Sequence, residues 1–469
     1  MTARLRRRLI IAIGAAALLG AAAAAGVALV ARHGASEGLL RDGGCKDCNV
    51  LLVTFESFRA DHLRCYGYDR DVAPSICAFG DTGVLFERAY SPAPNTVPAM
   101  QAIMSGDLAS NEDLLELIAH DDAVGSGSIA AGLARMGYAT AGFSDHQGFA
   151  DLSRPRPDTA FLIRSFREFH NFGRGFSSKT SAQVTAAAEA WMGAHRDEKF
   201  FVWTHLFDPH FNWVPGEAAA RAFGFDRARC GRVSLGMEMP KIHAIQADLS
   251  PVEIQCLESL YDAEAFETDA LVGRMLARLD ALGLADRTLV IFAADHGEEF
   301  RERGHVGHER TVFDELLHVP FIVRNPRAGR RGRSAAPIST IAIHDYVLAA
   351  AAGRSLEAAP PIVSRTFHYY HDGKSDPREF RAPPNDFAIT RGDLKYVFSP
   401  RTGQRALYDR GADPGEKRDV FGERPEAAAL ARELDAWIRS HRSARGPASD
   451  EAIQSYRETV GRLRALGYM

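Results

Sequence analysis

After residue 33 the sequence has no uncharged run of bilayer-spanning length, so membrane attachment is limited to a single N-terminal segment. It also lacks an internal repeat, which excludes solenoids and propellers. Neither sign of charge is in large excess. The 56 Lys and Arg against 60 Asp and Glu give a formal charge of -4, which becomes -8 when Arg4, Arg6, Arg7 and Arg8 are set aside. So acidic a body is poorly suited to gripping nucleic acid. Cysteine is scarce, with six in 469 residues. The Cys45-x-x-Cys48 pair has no two further ligands at zinc-knuckle spacing, which argues against a structural zinc site. Pairing within the three groups Cys45 and Cys48, Cys65 and Cys77, and Cys230 and Cys256 is the simplest expectation in an oxidising compartment, although the sequence does not fix the connectivity.

What is present is ample for a folded enzyme. At 46% hydrophobic and 25% charged residues the chain can bury one large core or two unequal ones. A basic segment, 1–8, precedes the uncharged run Leu9–Ala31. As a helix at about 1.5 Å per residue that run reaches roughly 34 Å, enough to cross a bilayer core. It predicts a transmembrane signal anchor at 9–31 with its arginines on the cytoplasmic side, followed by a linker at 32–47. A cleaved signal peptide, with a small-x-small site at Ala23 and Ala25, is the alternative. Either reading exports residues 34–469, to a periplasm or cell surface in the first case and as a secreted domain in the second.

The body alternates between β-rich runs at Asn49–Phe55, Lys199–Phe207 and Arg287–Ala293 and helix-period segments at Thr180–His195 and Ala263–Leu282. Short apolar runs of this kind read as buried parallel strands in an α/β layered sheet. After about residue 349 the texture changes to Pro-rich loops. Short strands follow at Phe387–Thr390 and Leu394–Ser399, then a helix at Pro425–Arg442, which predicts a smaller α+β subdomain over 349–443. A charged tail with one amphipathic helix occupies 444–469.

In open α/β sheets chemistry sits at the carboxyl ends of strands. The first strand ends in Glu56-Ser57-Phe58-Arg59 and the third in Asp295-His296-Gly297. A hard oxygen and an imidazole on adjacent residues can face one cation, with the glycine letting the chain bend away. A lone strand-end carboxylate is more often a helix cap, but two such ends make a metal site a reasonable expectation. Between them, Ser91–Gly106 reads as a Pro-broken loop feeding a helix from about Pro98. That puts Thr96 just before a helix N-terminus, where free amides favour an anion or a deprotonated hydroxyl. His205 has the parity of a buried core histidine.

The runs NVLLVTFESFRADHLRCYGYDRDVAPSICAFGDTGVLFERAYSPAPNTVPAMQAIMSG, FVWTHLFDPHFNWVPG, IFAADHGEEF and GHVGHERTVFDELLHVPFIV, with LKYVFSPRTGQRALYDRGADPGEKRDV near the end, resemble the motifs of sulfatase-like proteins of the alkaline phosphatase superfamily. They occur in the same order and at comparable spacing over roughly 48–442. The resemblance implies an alkaline-phosphatase-like, mostly parallel central sheet with helices on both faces, and a catalytic domain at 48–348. It also implies one divalent metal ion (zinc, manganese or calcium) held by Glu56, Thr96, Asp295 and His296, with His210, His308, Arg310 and more weakly Arg59 as substrate contacts. The chain departs from the family pattern at two points. Ten residues before Gly106, where the family matures a cysteine or serine to formylglycine, stands Thr96, which cannot become formylglycine. The usual Asp-Asp pair is Glu56-Ser57. The Glu, Thr, Asp, His set resembles that of phosphoethanolamine transferases and lipoteichoic acid synthases. It implies phosphoryl transfer through catalytic Thr96 on an anionic phosphate or sulfate ester of the cell envelope, with no formylglycine. The alternatives are a formylglycine-independent sulfate-ester hydrolase and a catalytically silent binding protein.

Overall fold

The computed structural model describes residues 44–109, 127–146, 160–173, 180–356, 358–366 and 386–441, with 149, 449 and 454. The predicted anchor at 9–31, the basic segment before it, most of the linker and the tail helix lie outside the described residues. No helix among the described residues is long and apolar enough to cross a membrane.

Eight strands form the central sheet: Asn49–Phe55 (β1), Val84–Phe86 (β2), Ala139–Ser144 (β3), Glu168–Asn171 (β4), Phe200–Leu206 (β5), Thr288–Ala294 (β6), Phe321–Arg324 (β7) and Gly332–Ser334 (β8). Their order is β8-β2-β7-β6-β1-β5-β3-β4. β1 runs parallel to β5 and β6, and β3 parallel to β4 and β5, whereas β7 is antiparallel to both β6 and β2. The sheet is therefore mixed, with one reversed strand in an otherwise parallel array. Val50 and Leu52 join one core while Leu51, Val53 and Phe55 join the other. This period-two alternation with every residue buried is what a strand covered by helices on both faces requires. Helices Thr96–Ser105 and Ala342–Ala351 lie on the first face, and Ser181–Ala194 and Pro251–Ala281 on the second.

Two sequence expectations change. The segment 107–180, to which no strand was assigned from the sequence, supplies β3 and β4. β3 (ATAGFS) is small and only weakly β-forming, yet fully buried: Ala139, Ala141 and Phe143 enter one core, and Phe169 lies against Gly142, where an added Cβ would come within 2.5 Å of the ring. The helix expected from Ala263 begins at Pro251, behind a Ser250–Glu253 capping box.

Beyond 349, Ile362–Arg365 (β9), Phe387–Arg391 (β10), Leu394–Phe398 (β11) and Arg405–Asp409 (β12) form an antiparallel sheet. Helix Glu426–Ser440 covers it through Leu430 and Leu434. Disulfides join Cys45 to Cys48, Cys65 to Cys77 and Cys230 to Cys256, the expected groups.

Candidate metal and nucleophile centre

The register of β1 against β6 pairs Phe55 with Ala294, so Glu56 and Asp295 emerge side by side at the carboxyl edge. The ladder continues one residue further, with the Asp295 amide donating to Phe55 O and the Glu56 amide to Leu206 O, each at 3.0 Å. Ser57 then turns the chain with φ at 56°, a left-handed conformation uncommon outside glycine. Its amide donates to Asp295 Oδ1 at 3.1 Å, and the His296 amide to the same oxygen at 2.7 Å. One oxygen of Asp295 is thereby occupied by two amides, while Oδ2 is buried with no hydrogen-bond partner.

Thr96 arrives from the opposite direction. Ser91 Oγ donates to the Asp295 carbonyl, which fastens the loop before Thr96 to the same strand end. The helix starts at Thr96 itself, not at Pro98, and Asn95 is the N-cap residue without making a side-chain cap bond. Thr96 Oγ1 donates to Glu56 Oε1 at 2.9 Å and lies 3.2 Å from His296 Nε2. His296 Nδ1 faces the Gly297 carbonyl at 2.8 Å. A carbonyl only accepts, so Nδ1 carries the hydrogen and Nε2 presents a lone pair. Burial pushes the Glu56 carboxyl up, against hydrogen bonding from His205, and pushes the His296 imidazole down against the attraction of Asp295.

Ligand atoms of Glu56, Asp295 and His296 all lie within 4.8 Å of one another. All three residues are buried, Glu56 Oε2 and Asp295 Oδ2 are orphaned, and no lysine or arginine pairs with either carboxylate among the described residues. Electron pairs converging on one dry point without a protein cation fit a divalent metal ion, with Thr96 as a further oxygen ligand.

A profile of the sulfatase family matches residues 48–353. The chain belongs to the sulfatase family. It is 29% identical over 221 residues to an ulvan-active sulfatase of Formosa agariphila, covering 43% of this chain and 42% of that protein. It is 30% identical over 249 residues to mouse steryl-sulfatase, covering 42% and 39%. These matches span about two fifths of each relative's length. Among solved structures, the phosphonate monoester hydrolase of Agrobacterium radiobacter superposes with a TM-score of 0.61 at 19% identity, covering 86% of this chain and 99% of its own. These sulfatase-family relatives and structural neighbours are named for ester hydrolysis.

The remaining predicted contacts separate. His308, its side chain 7% exposed, meets the buried Glu298 carboxylate at 3.1 Å and lies with its ring 4.4 Å from that of His296. Burial opposes its charge, but the charge and hydrogen bond of Glu298 prevail and lift it to about 9. Half-buried Arg310 follows Glu309, whose amide donates to Pro94 O at 2.9 Å, and it pairs with no carboxylate among the described residues. This leaves Arg310 beside the Thr96 loop.

Two further predicted substrate contacts are engaged by the protein. Arg59 directs all three of its guanidinium nitrogens to Asp61, Glu302 and the Glu298 carbonyl, at 2.6–2.9 Å, so it is a structural ion pair. His210 Nδ1 donates to the Phe211 carbonyl, and burial holds the imidazole well below its usual range. Its Nε2 lies 3.4 Å from Glu56 Oε1.

The sequence reading missed His146, which follows β3 in the order Ser144-Asp145-His146 and brings Nε2 to 3.4 Å from Glu56 Oε1. An Asp-His pair after a strand was the available signal, the same one that drew attention to Asp295-His296. Fully buried His205, read as a core residue, aims Nε2 at Glu56 Oε2 at 3.5 Å.

Proposed function

We propose that this sulfatase-family chain is a metal-dependent ester hydrolase or transferase that uses Thr96 as its nucleophile and acts on phosphoryl esters in preference to sulfate esters. The observation that carries the reading is the Thr96 hydroxyl, at a helix N-terminus and 2.9 Å from a buried carboxylate, in the sequence position where family members carry cysteine or serine. Its Cβ bears a methyl group, so oxidation to an aldehyde is closed to it and the hydroxyl itself is what remains to react.

Glu56, Asp295, His296 and Thr96 would hold the ion, which supplies positive charge that lowers the pKa of the hydroxyl and neutralises the ester oxygens. The residues do the rest. As Thr96 Oγ1 attacks phosphorus in line, its proton has Glu56 Oε1 to go to, and the His308 imidazolium protonates the departing alkoxide. Arg310 is placed to clamp the non-bridging oxygens bidentately. In the second step water or an acceptor alcohol attacks the phosphothreonine. Neutral His308 takes the incoming proton, and Thr96 regains its own from Glu56.

The same reading takes zinc, manganese or calcium as the ion. It tethers the catalytic domain outside the cytoplasm through residues 9–31, beside a cell-envelope substrate; protease protection of intact cells checks that placement. The relatives' names favour a second reading, sulfate-ester hydrolysis. Intact-protein mass spectrometry after incubation with bis(4-nitrophenyl) phosphate or 4-nitrophenyl sulfate, with each metal, decides between them. A phosphoryl-type adduct that disappears in Thr96→Ala supports the proposal. Turnover of the sulfate ester alone overturns it.

A further inference from the structure

The parallel strands β1, β3, β4, β5 and β6 begin at one edge of the sheet, opposite the edge that carries Glu56 and Asp295. β7, which runs the other way, ends at that starting edge with Arg324 beside Val290, and β8 begins there with Gly332 beside Val84. The connection 325–331 therefore lies on the edge away from the site. Between Glu315 and Asp345 the sequence has five arginines and no acidic residue. Four of them, Arg327, Arg330, Arg331 and Arg333, are exposed. Arg333 meets Glu87 at 2.6 Å, and half-buried Arg324 holds its guanidinium over the ring of Phe79. Asp81, Asp280 and Asp286 are the exposed acids on the connections into the neighbouring strands β2 and β6.

The chain enters the fold at the same edge. The Cys45 amide donates to Ala350 O at 2.7 Å, and Gly44 lies so close to Gly353 that an added Cβ would come within 2.1 Å of that backbone. β1 follows, and its 7 residues carry the chain about 20 Å to Glu56 at the opposite edge. Residues 32–43 span at most about 40 Å when extended, so the length of the linker does not fix which way the body faces. Charge supplies what length does not. Apart from the N-terminal arginines the chain is acidic, and near an anionic surface such a body is repelled on every side except one rich in arginine.

We propose that the arginine-rich edge around 325–333 docks on an anionic lipid surface, so that the domain stands with Glu56, Asp295 and Thr96 turned away from the bilayer that holds it. The proposal rests on the tether at 9–31 as read above. It also narrows the substrate: the site takes anionic esters from the space beyond the protein and not from headgroups of the leaflet beneath it. Each arginine brought near such a surface adds about fivefold to partitioning. The lipid potential fades over about 8 Å at physiological salt, well short of the carboxyl edge, so an anionic ester reaching the site does not meet the repulsion of the lipid.

The test places the full chain in phosphatidylcholine vesicles with and without phosphatidylglycerol and follows a bimane label quenched by nitroxide headgroups in the lipid. Ala328→Cys puts the label between the arginines and removes none of them. Ala247→Cys puts it on an exposed residue at the site's edge, next to Gln246, which accepts from the Val306 amide on the hairpin after β6. The label at 328 should be quenched in vesicles containing phosphatidylglycerol, and several-fold less in phosphatidylcholine alone or at about 1 M salt, where the Debye length is about 3 Å. The label at 247 should stay unquenched. Adding Arg327→Gln and Arg331→Gln, both at exposed positions, should weaken docking by about 25-fold. Quenching at 247 instead of 328, at neither position, or at 328 equally in both lipids overturns the docking, while flotation of the chain with the vesicles leaves the tether standing. A chain that floats with neither kind of vesicle overturns both.

Discussion

The two halves of the catalytic cleft are held by different forces. Glu56, Asp295 and His296 stand at the ends of neighbouring parallel strands, set by a backbone ladder in the middle of the core. His308 and Arg310 stand on the segment 299–313, outside the main sheet, which is clasped by charges from the C-terminal subdomain. Arg303 binds Glu315 and the carbonyls of Gly415 and Glu416, and its guanidinium stacks 3.8 Å over Phe313. Lys395 Nζ, buried, contacts Asp314 at 2.8 Å and Glu416 at 2.9 Å, with Arg410 beside them. Burial resists ionisation of Asp314, but Lys395 and Arg410 hold it well below the usual carboxylate range. Under the proposed function, cation affinity is thus tied to the integrity of the sheet, and anion affinity to an ion-pair network that substitutions can loosen separately.

The largest effects should come from the ladder side. Thr96→Ala and Asp295→Ala should each lower kcat/KM by on the order of 10³-fold or more, the scale of removing a nucleophile or its activating group. Only Asp295→Ala should also abolish tight metal binding, measured by calorimetry. Next comes the clasp. Lys395→Met takes the nearest cation from fully buried Glu416, leaves Asp314 with Arg410 alone, and should destabilise the fold by about 3–5 kcal/mol in denaturant titrations. Below the melting range it should raise KM for the ester while metal affinity stays unchanged. Equal loss of both affinities would break the contrast between the halves.

A smaller effect is electrostatic. His308 is cationic up to about pH 9 because Glu298 faces it, and that charge is lost as pH rises through this value. Glu298→Gln removes the counter-charge while burial continues to oppose the imidazolium. The alkaline limb of kcat/KM should therefore move down from near pH 9 toward or below the ordinary histidine range, with little change at pH 6. An unmoved limb would remove His308 from the proton-transfer role.

How much of this was legible in the sequence follows the same division. The strands carrying the ladder side are dense β-former runs and fall within one residue of where they were read, at 49–55, 200–206 and 288–294. The cluster of Glu56, Asp295 and His296 was accessible because its members follow such runs directly. β3 was not, since ATAGFS has Phe143 as its one large apolar side chain among small residues, and His146 was lost with it. Long-range pairing was equally hidden. Arg59 bonding Glu302 joins residues 243 apart, and no local pattern announces that its guanidinium is already occupied. For His205, strand parity gave burial correctly but not the carboxylate beyond its far nitrogen.

The smallest expected effect joins the two halves. Tyr261, buried on the helix Pro251–Ala281, donates its hydroxyl to Ser57 O at 2.7 Å and accepts from the Arg59 amide at 2.9 Å. These two bonds close the turn in which Ser57 takes its left-handed conformation, immediately after Glu56. A turn in that region costs on the order of 1–3 kcal/mol and persists only when its surroundings enforce it. Tyr261→Phe keeps the ring against Phe300 and Trp213 and removes only the hydroxyl. Outer partners of metal ligands commonly contribute about 10–100-fold to affinity. Since Tyr261 acts through the backbone of the residue after Glu56, the low end is expected, a loss of about tenfold in metal affinity by calorimetry. KM for the ester at saturating metal should not change, because the clasp on residues 299–313 is untouched. A rise in KM without loss of metal affinity would assign the tyrosine to the anion side and place the division between the halves elsewhere than at Ser57.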